Sequence, residues 1–267
     1  MVNSKFKSVL EKCNMLGFAK KVYYFLRKIL FECGVVYRKI FKNNSYSRLK
    51  QYKNIHKGER CFIIATGPSL TISDLELLKN EYTFSMNSIL LSFNETEWRP
   101  TYYGIQDPDV YRNLEKDIKN CKLKDIFIGS YITDKFKVDS RYIKYPLDLM
   151  NHCIEFKKFD TKFSDDCYLR VYDGYSITYS LIQIAAYMGF KEIYLLGVDC
   201  NYNTSKTHFK EHGVGVTHKE SVQRRMTVAY EVAKKYCEDK DLKIFNATRG
   251  GMLEVFERVN LDDIVSQ

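Results

Sequence analysis

The sequence predicts an α/β fold: a mostly parallel sheet with helices on both faces, preceded by an N-terminal helical arm. Three observations carry this. From residue 57 onward, short apolar runs of strand character alternate with helical segments, the pattern of parallel strands joined by crossover helices. The first run, Cys61 to Ile64, is broken at once by Thr66-Gly67-Pro68-Ser69 and then gives way to a helix. The basic charge is confined to one end. Residues 1–50 hold twelve Lys/Arg against two Asp/Glu, a net of +10 in a chain of net +9, so the rest sums to −1.

The arm comes first. Residues 1–43 carry apolar residues at helical spacing, from Phe6, Val9 and Leu10 through Val22 to Leu26 and on to Ile40 and Phe41. Lys20, Lys21, Arg27, Lys28, Arg38 and Lys39 punctuate them. A basic, aromatic-rich helix of this kind suits the interface of an anionic membrane; the alternative is an arm packed on its own domain or on a partner subunit. Asn43 to Ile55 is polar and reads as a linker. Residues 1–50 are thus an amphipathic arm and linker, and residues 51–267 one domain.

Within that domain, Arg60 to Ile64 is the first strand. Its helix has Ser73 as expected N-cap, with Asp74 and Glu76 in the first turn. Tyr82 to Met86 is a second strand ending at Asn87, and Pro100 to Ile105 a third ending at Gln106-Asp107-Pro108-Asp109. A helix over 110–119 and a strand over Asp125 to Gly129 follow. Residues 131–172 show no clear period and read as a lid or subdomain. Ser176 opens an apolar helix that Gly189 stops. Lys191 to Asp199 is a strand ending in Gly197 and Asp199, residues 219–236 a long helix, and Leu242 to Asn246 a last strand followed by Arg249. Five or six strands are expected in all.

The sequence excludes several classes. There is no run of about 18 apolar residues, so no membrane-spanning helix is expected. The eight cysteines are scattered, with no CxxC pair, which suits a reduced, cytoplasmic protein. The domain itself has no basic excess, which argues against a nucleic-acid-binding core. Neither GxxxxGK[ST] nor GxGxxG occurs.

Polar residues recur where strands end: Thr66 and Ser69, Asn87, Asp107 and Asp109, Asp199, Asn246 and Arg249. In a parallel sheet these ends share one edge and face one crevice. Free N–H groups at the Gly67 turn suit a phosphate. Asp107 and Asp109 could hold Mg²⁺ or Mn²⁺ through oxygen ligands, although Asp-Pro is also a common turn starter. His208, His212 and His218 could suggest zinc, but no Cys lies at ligand spacing. One of them as a general base fits better, because imidazole titrates near neutrality.

These stretches together resemble a known family. Arg60-Cys-Phe-Ile-Ile-Ala-Thr-Gly-Pro-Ser-Leu70, the Asn87 strand end, Trp98-Arg-Pro-Thr-Tyr-Tyr103 with Asp107-Pro108, and Met188-Gly-Phe-Lys-Glu-Ile-Tyr-Leu-Leu-Gly-Val-Asp199 resemble the DUF115 family. That family is also labelled 6-hydroxymethylpterin diphosphokinase MptE-like and is related to the Maf flagellin glycosyltransferases. The same stretches are similar to bacterial family 42 sialyltransferases, which have a Rossmann-like, GT-A-like fold and use a CMP-activated sialic acid without a metal. The resemblance covers roughly residues 57–260 and leaves the arm outside.

The resemblance implies a site. Thr66, Gly67, Pro68 and Ser69 would take the nucleotide phosphate where the sialyltransferases have Asn-Gly-Pro-Ser. Asn87 matches a nucleotide-binding Asn, and Ser176 and Asp199 complete the donor site. Asp107 stands where those enzymes have Asn, which places charge beside an anionic ligand and calls for a cation or a donor hydroxyl. Tyr202 and His208 lie near two tyrosines that act on the leaving phosphate, and His218 matches the general base. The implied activity is an inverting glycosyltransferase, without cofactor, on the inner face of the membrane. A CMP-linked or other nucleotide-sugar would be its donor, and a surface glycan or lipid-linked precursor its acceptor. The family label implies an alternative, a pterin diphosphokinase using ATP and Mg²⁺ held by Asp107 and Asp109. A non-catalytic scaffold in polysaccharide assembly is the third reading.

Overall fold

The computed structural model describes residues 16–149, 161–202, 207–215 and 219–266. Eight strands form one wholly parallel sheet: β1 Arg60–Ile64, β2 Thr83–Met86, β3 Tyr102–Ile105, β4 Asp125–Gly129, β5 Ile143–Tyr145, β8 Glu192–Leu196, β9 Lys243–Asn246 and β10 Glu257–Arg258. Their order is β10-β9-β8-β1-β2-β3-β4-β5. The chain therefore builds outward from β1 to β5, then returns to the other side of β1 for β8. In register, Ile63 lies between Phe84 of β2 and Leu195 of β8.

Alternation along β1 divides the core. Cys61 and Ile63 join one apolar cluster; Phe62 and Ile64 join the other. The first cluster holds α5 (Ile177–Tyr187) and α6 (Lys219–Glu238); the second holds α3 (Pro108–Asn120) and Trp98. Both faces are thus covered, as a parallel sheet requires. In α5, ten of eleven residues are buried, so its lack of a polar stripe is what full enclosure predicts.

Several expectations change. The sheet has eight strands, not five or six. The unread ones are short edges, and Glu257-Arg258 of β10 is exposed and charged, as an edge strand that must resist pairing tends to be. The cap of α2 (Ile72–Leu77) is Thr71 rather than Ser73. Thr71 Oγ1 accepts from Asp74 N, and Asp74 Oδ2 accepts from Thr71 N at 3.0 Å, a reciprocal capping box. The described part of 131–172 is not a separate unit. β5 extends the main sheet, β6 (Leu147–Asp148) pairs in parallel with β7 (Val171–Tyr172), and Tyr145, Cys167 and Val171 are core residues. Residues 150–160 lie outside the described residues.

The linker is likewise a packed segment. Residues Ser47–Tyr52 form a 3₁₀ turn with Leu49 fully buried. The Tyr52 hydroxyl donates to Asp125 Oδ1 at 2.6 Å. Buried His56 stacks on Phe190 at 4.4 Å and meets the Tyr102 hydroxyl at 2.6 Å. The arm is tied down as well. Helix α1 (Leu16–Ile40) buries Arg38, whose Nε and Nη2 donate to Leu169 O at 3.1 and 2.8 Å. The Tyr168 hydroxyl donates back to Arg38 O, and Glu32 pairs with Arg170. No helix among the described residues is long and apolar enough to cross a membrane.

If residues 43–55 were a linker, Leu49→Ala would be nearly neutral. As a core substitution it is expected to cost about 2–5 kcal/mol in urea unfolding.

Candidate functional site

The reversal of strand order between β1 and β8 creates a switch point, and a crevice opens beyond the carboxyl ends of those two strands. Thr66-Gly67-Pro68-Ser69 leaves β1 there and meets Gly197-Val198-Asp199-Cys200 leaving β8. Gly67 N donates to Gly197 O at 2.9 Å. The approach is so close that a Cβ on Gly67 would sit 2.0 Å from Asp199 Oδ2 and 2.4 Å from Gly197 O. Only glycine fits. Ser69 Oγ donates to Asp199 Oδ2 at 2.8 Å, with Ser69 N at 3.4 Å. The donors expected to face a phosphate are therefore held by a carboxylate of the same chain. Burial raises the Asp199 carboxyl above its ordinary value, and the two Ser69 bonds oppose that rise.

Two cavities adjoin this junction. The smaller, about 100 Å³, lies against Thr66, Gly67, Asn87, Thr178, Asp199 and Cys200. The larger, about 630 Å³, is walled by Gln106, Asp107, Tyr131, Tyr175 and His212, and by Tyr23, Tyr24 and Arg27 of α1. Asn87, Ser176, Ile177, Tyr202, His208 and Met226 belong to both. A volume of this size suits a ligand of a few rings.

Backbone strain gathers here. Of the four non-glycine residues with positive φ among the described residues, Asn87 (47°), Tyr175 (60°) and Cys200 (50°) all line the crevice. Such conformations cost on the order of 1–3 kcal/mol each and persist where the surroundings fix them. Asn87 is held by the Tyr103 hydroxyl, which donates to Asn87 O at 2.9 Å. Its side-chain Oδ1 is buried without a hydrogen-bond partner. An orphaned acceptor in a cavity wall is unfavourable until a donor fills it.

The remaining expected residues fall as follows. Ser176 caps α5, accepting from Thr178 N. Tyr202 donates to Met226 Sδ at 3.1 Å, and burial pushes its phenol well above the usual range, so it stays protonated and acts as a donor. His208 and His212 lie ring to ring at 4.4 Å. His208 Nδ1 sits 3.0 Å from Thr207 Oγ1 and 3.4 Å from Glu211. Burial and the charge of His208 lower His212, and its Nδ1 accepts from Val214 N at 3.3 Å. With Nδ1 engaged by Val214 N, Nε2 is the ring nitrogen left to donate. His218 lies outside the described residues.

Asp107 and Asp109 have separate duties. Asp107 Oδ1 caps α3, accepting from Asp109 N at 2.7 Å and Val110 N at 3.1 Å. Asp109 pairs outward with Arg112. Among the described residues no three His, Cys, Asp or Glu side chains are grouped for a metal. Asn246 and Arg249 leave the crevice to build structure: Asn246 bonds Leu253 O and Thr248 N, and Arg249 pairs with Asp74 and Asp262. Sequence reasoning missed Tyr175 and Cys200, although Asp173-Gly174 before a helix was a turn signal. It also missed that Tyr23, Tyr24 and Arg27 reach the cavity, for which the sequence carried no signal.

The fold and crevice define a Rossmann-like α/β protein with its site at the switch point of a parallel sheet. A family profile described as 6-hydroxymethylpterin diphosphokinase MptE-like matches residues 36–205. This is more than half of the chain, which belongs to that family. Among solved structures, the chain is similar to a Maf glycosyltransferase from Magnetospirillum magneticum AMB-1, with a TM-score of 0.51 and 17% identity. The likeness covers 82% of this chain and 38% of that one, and it is a likeness of fold. A search of curated proteins finds no match.

The buried Asp199 carboxyl makes a prediction. Its native pKa is raised above the ordinary 3.8, so the native state holds the proton more tightly than the unfolded chain. The group favours folding below that value and loses its contribution as pH rises through its native pKa. Asp199→Asn, which keeps an oxygen for Ser69, should therefore gain stability relative to wild type as pH rises from 3.8 towards neutrality. Urea unfolding at stepped pH measures it.

Proposed function

We propose that the chain is a glycosyltransferase that uses a nucleotide-activated sugar, CMP-linked and sialic-acid-like, and inverts at the anomeric carbon. The carrying observation is Asn87 Oδ1, buried and unpartnered where the two cavities meet. A nucleotide base or ribose supplies the donor it lacks. The small cavity would take the nucleotide, with Thr66, Gly67, Ser69, Asn87, Ser176 and Asp199 around it. The phosphate would displace the Asp199 carboxylate from Ser69. The larger cavity would hold the sugar and the acceptor, a glycan or its lipid-linked precursor on the inner membrane face.

In the transfer, the acceptor oxygen bonds to the anomeric carbon from the face opposite the departing phosphate, and the bond from that carbon to the phosphate oxygen breaks. The Tyr202 hydroxyl and His208 donate to the departing phosphate, where negative charge develops. The acceptor hydroxyl loses its proton to a base, for which His218 is our assignment. Similarity in fold to a Maf glycosyltransferase supports this reading.

A second reading has one observation in its favour, the description of the family itself. A diphosphokinase would need Mg²⁺ between the nucleotide phosphates and carboxylates. Asp109 would have to leave Arg112 and turn inward to serve.

Thermal shift against CMP, CDP, UDP, GDP, ADP and ATP, each with and without Mg²⁺, separates the readings. CMP without metal is expected to stabilise. At a hundredfold excess over Kd the gain is about 2.7 kcal/mol, roughly 5–10 °C for a chain of this size. A shift confined to ATP or ADP with Mg²⁺ would overturn the glycosyltransferase in favour of the kinase, and no shift at all would favour a scaffold. With a donor in hand, Tyr202→Phe should lower kcat by about 10²-fold in a steady-state transfer assay.

A further inference from the structure

Helix α1 leaves its more apolar side outward. The residues it turns toward the domain include Tyr24, Arg27, Phe31, Gly34, Val35 and Arg38; Arg38 is buried, and the others are partly covered. The opposite side carries Phe18, Val22, Phe25, Leu26, Ile29, Leu30, Val36 and Ile40, all exposed, with Leu30 at 70% and Phe25 at 62%. At 100° per residue these span a sector of roughly 140°, far wider than a coiled-coil seam. Exposing that much contiguous apolar surface to water is unfavourable, and something covers it.

Charge decides what does. From Leu16 to Lys42 there are seven Lys/Arg and one acidic residue, Glu32, which is already paired with Arg170. A second copy packed along the same face would set cations against cations. An anionic bilayer surface complements them, at about 1 kcal/mol for each Lys or Arg near the surface. Lys28 and Lys39 are exposed beside the apolar sector, where their stems can lie on it while the ammonium groups reach headgroups.

The same two turns form a wall of the catalytic crevice. Tyr23, Tyr24 and Arg27 line the larger cavity, and Tyr23 is also 55% exposed, so the cavity wall and the lipid-facing stripe meet at that residue. The Arg27 guanidinium lies 5.8 Å from the Tyr23 ring centroid, and its charge is felt by the Asp134 carboxyl. A guanidinium offers a planar fork that matches a phosphate.

We propose that α1 lies in an anionic membrane surface and holds the cavity mouth at headgroup level. The acceptor is then a membrane-borne lipid whose phosphate meets Arg27 while its glycan end enters the cavity. This rests on the glycosyltransferase reading for the word acceptor; the membrane contact and the phosphate contact stand on α1 alone.

The test uses the full chain and vesicles of phosphatidylcholine, with and without phosphatidylglycerol. Phosphatidylglycerol is expected to tighten binding at least about tenfold, and Leu26→Glu/Leu30→Glu to abolish the gain. Both residues are exposed, so an unchanged melting temperature is expected. Bound vesicles should also protect Cys33, exposed on this helix, from alkylation read at the peptide level. Replacing part of the phosphatidylglycerol by a polyisoprenyl phosphate at constant total charge should tighten wild type severalfold further, and Arg27→Ala not at all. Equal binding by wild type and the double variant, or an unprotected Cys33, would overturn the membrane contact. Equal response of wild type and Arg27→Ala would overturn the phosphate contact. Stabilisation by nucleotide should be the same in all three proteins. Its absence in wild type would count against the glycosyltransferase reading and leave the helix proposal standing.

Discussion

The structure depends on one close approach, between the turn that leaves β1 and the turn that leaves β8. Gly67 N–H on Gly197 O and Ser69 on Asp199 hold the two turns together where the sheet reverses its direction of growth. The absence of a side chain at Gly67 permits the contact. With the turns joined, the crevice beyond them has a rigid floor. Separate them and the cavity that Asn87, Ser176 and Tyr202 share loses its base. The strained residues belong to the same account. Asn87, Tyr175 and Cys200 each lie in the left-handed region, and each follows or precedes an element whose packing fixes it, so the strain is borne by the buried sheet and α5.

That floor was legible in the sequence because it rests on local chemistry. An apolar run ending in Thr66-Gly67-Pro68-Ser69, and another ending in Gly197-Val198-Asp199, announce strand ends by composition alone. What the polar residues at those ends do was less legible, since a carboxylate can cap, pair or bind. Asp107 caps α3, Asp109 pairs with Arg112, and Asp199 occupies the donors of Ser69. These outcomes turn on which N–H or cation lies nearest in space. The turn before Tyr175 carried a signal, but the positive φ of Tyr175 and Cys200 could not be read, because nothing in a tyrosine or a cysteine signals one.

The edges and the linker were misread for a related reason. β5 is too short to show a period, and β10 is both short and charged; they exist because the neighbouring strand offers a ladder. Residues 43–55 look like a linker by composition. Leu49 nonetheless fills the core, and Asn54, His56 and Gly58 donate their N–H groups to Tyr187, Met188 and Gly189 at the end of α5. The decisive contact of the arm, Arg38 on Leu169 O, joins residues far apart in sequence through a backbone carbonyl, which no composition records.

The inverted polarity of α1 follows from how a cation can be buried. Desolvation lowers the pKa of Arg38, yet the guanidinium spends its donors on a main-chain oxygen that would otherwise be orphaned, and it lies 5.3 Å from the ring centroids of both Phe31 and Tyr46. Hydrogen bonds and π faces can hold such a face on the domain where a hydrophobic seam usually would. The apolar side is thereby left outward. In a helix with mixed faces, whichever face the domain takes, the other goes to the surroundings. Here the domain takes both arginines together with Phe31 and leaves Phe18, Phe25, Leu26 and Leu30 outward, and this arrangement lets one helix be a wall of the crevice and an outer surface at once.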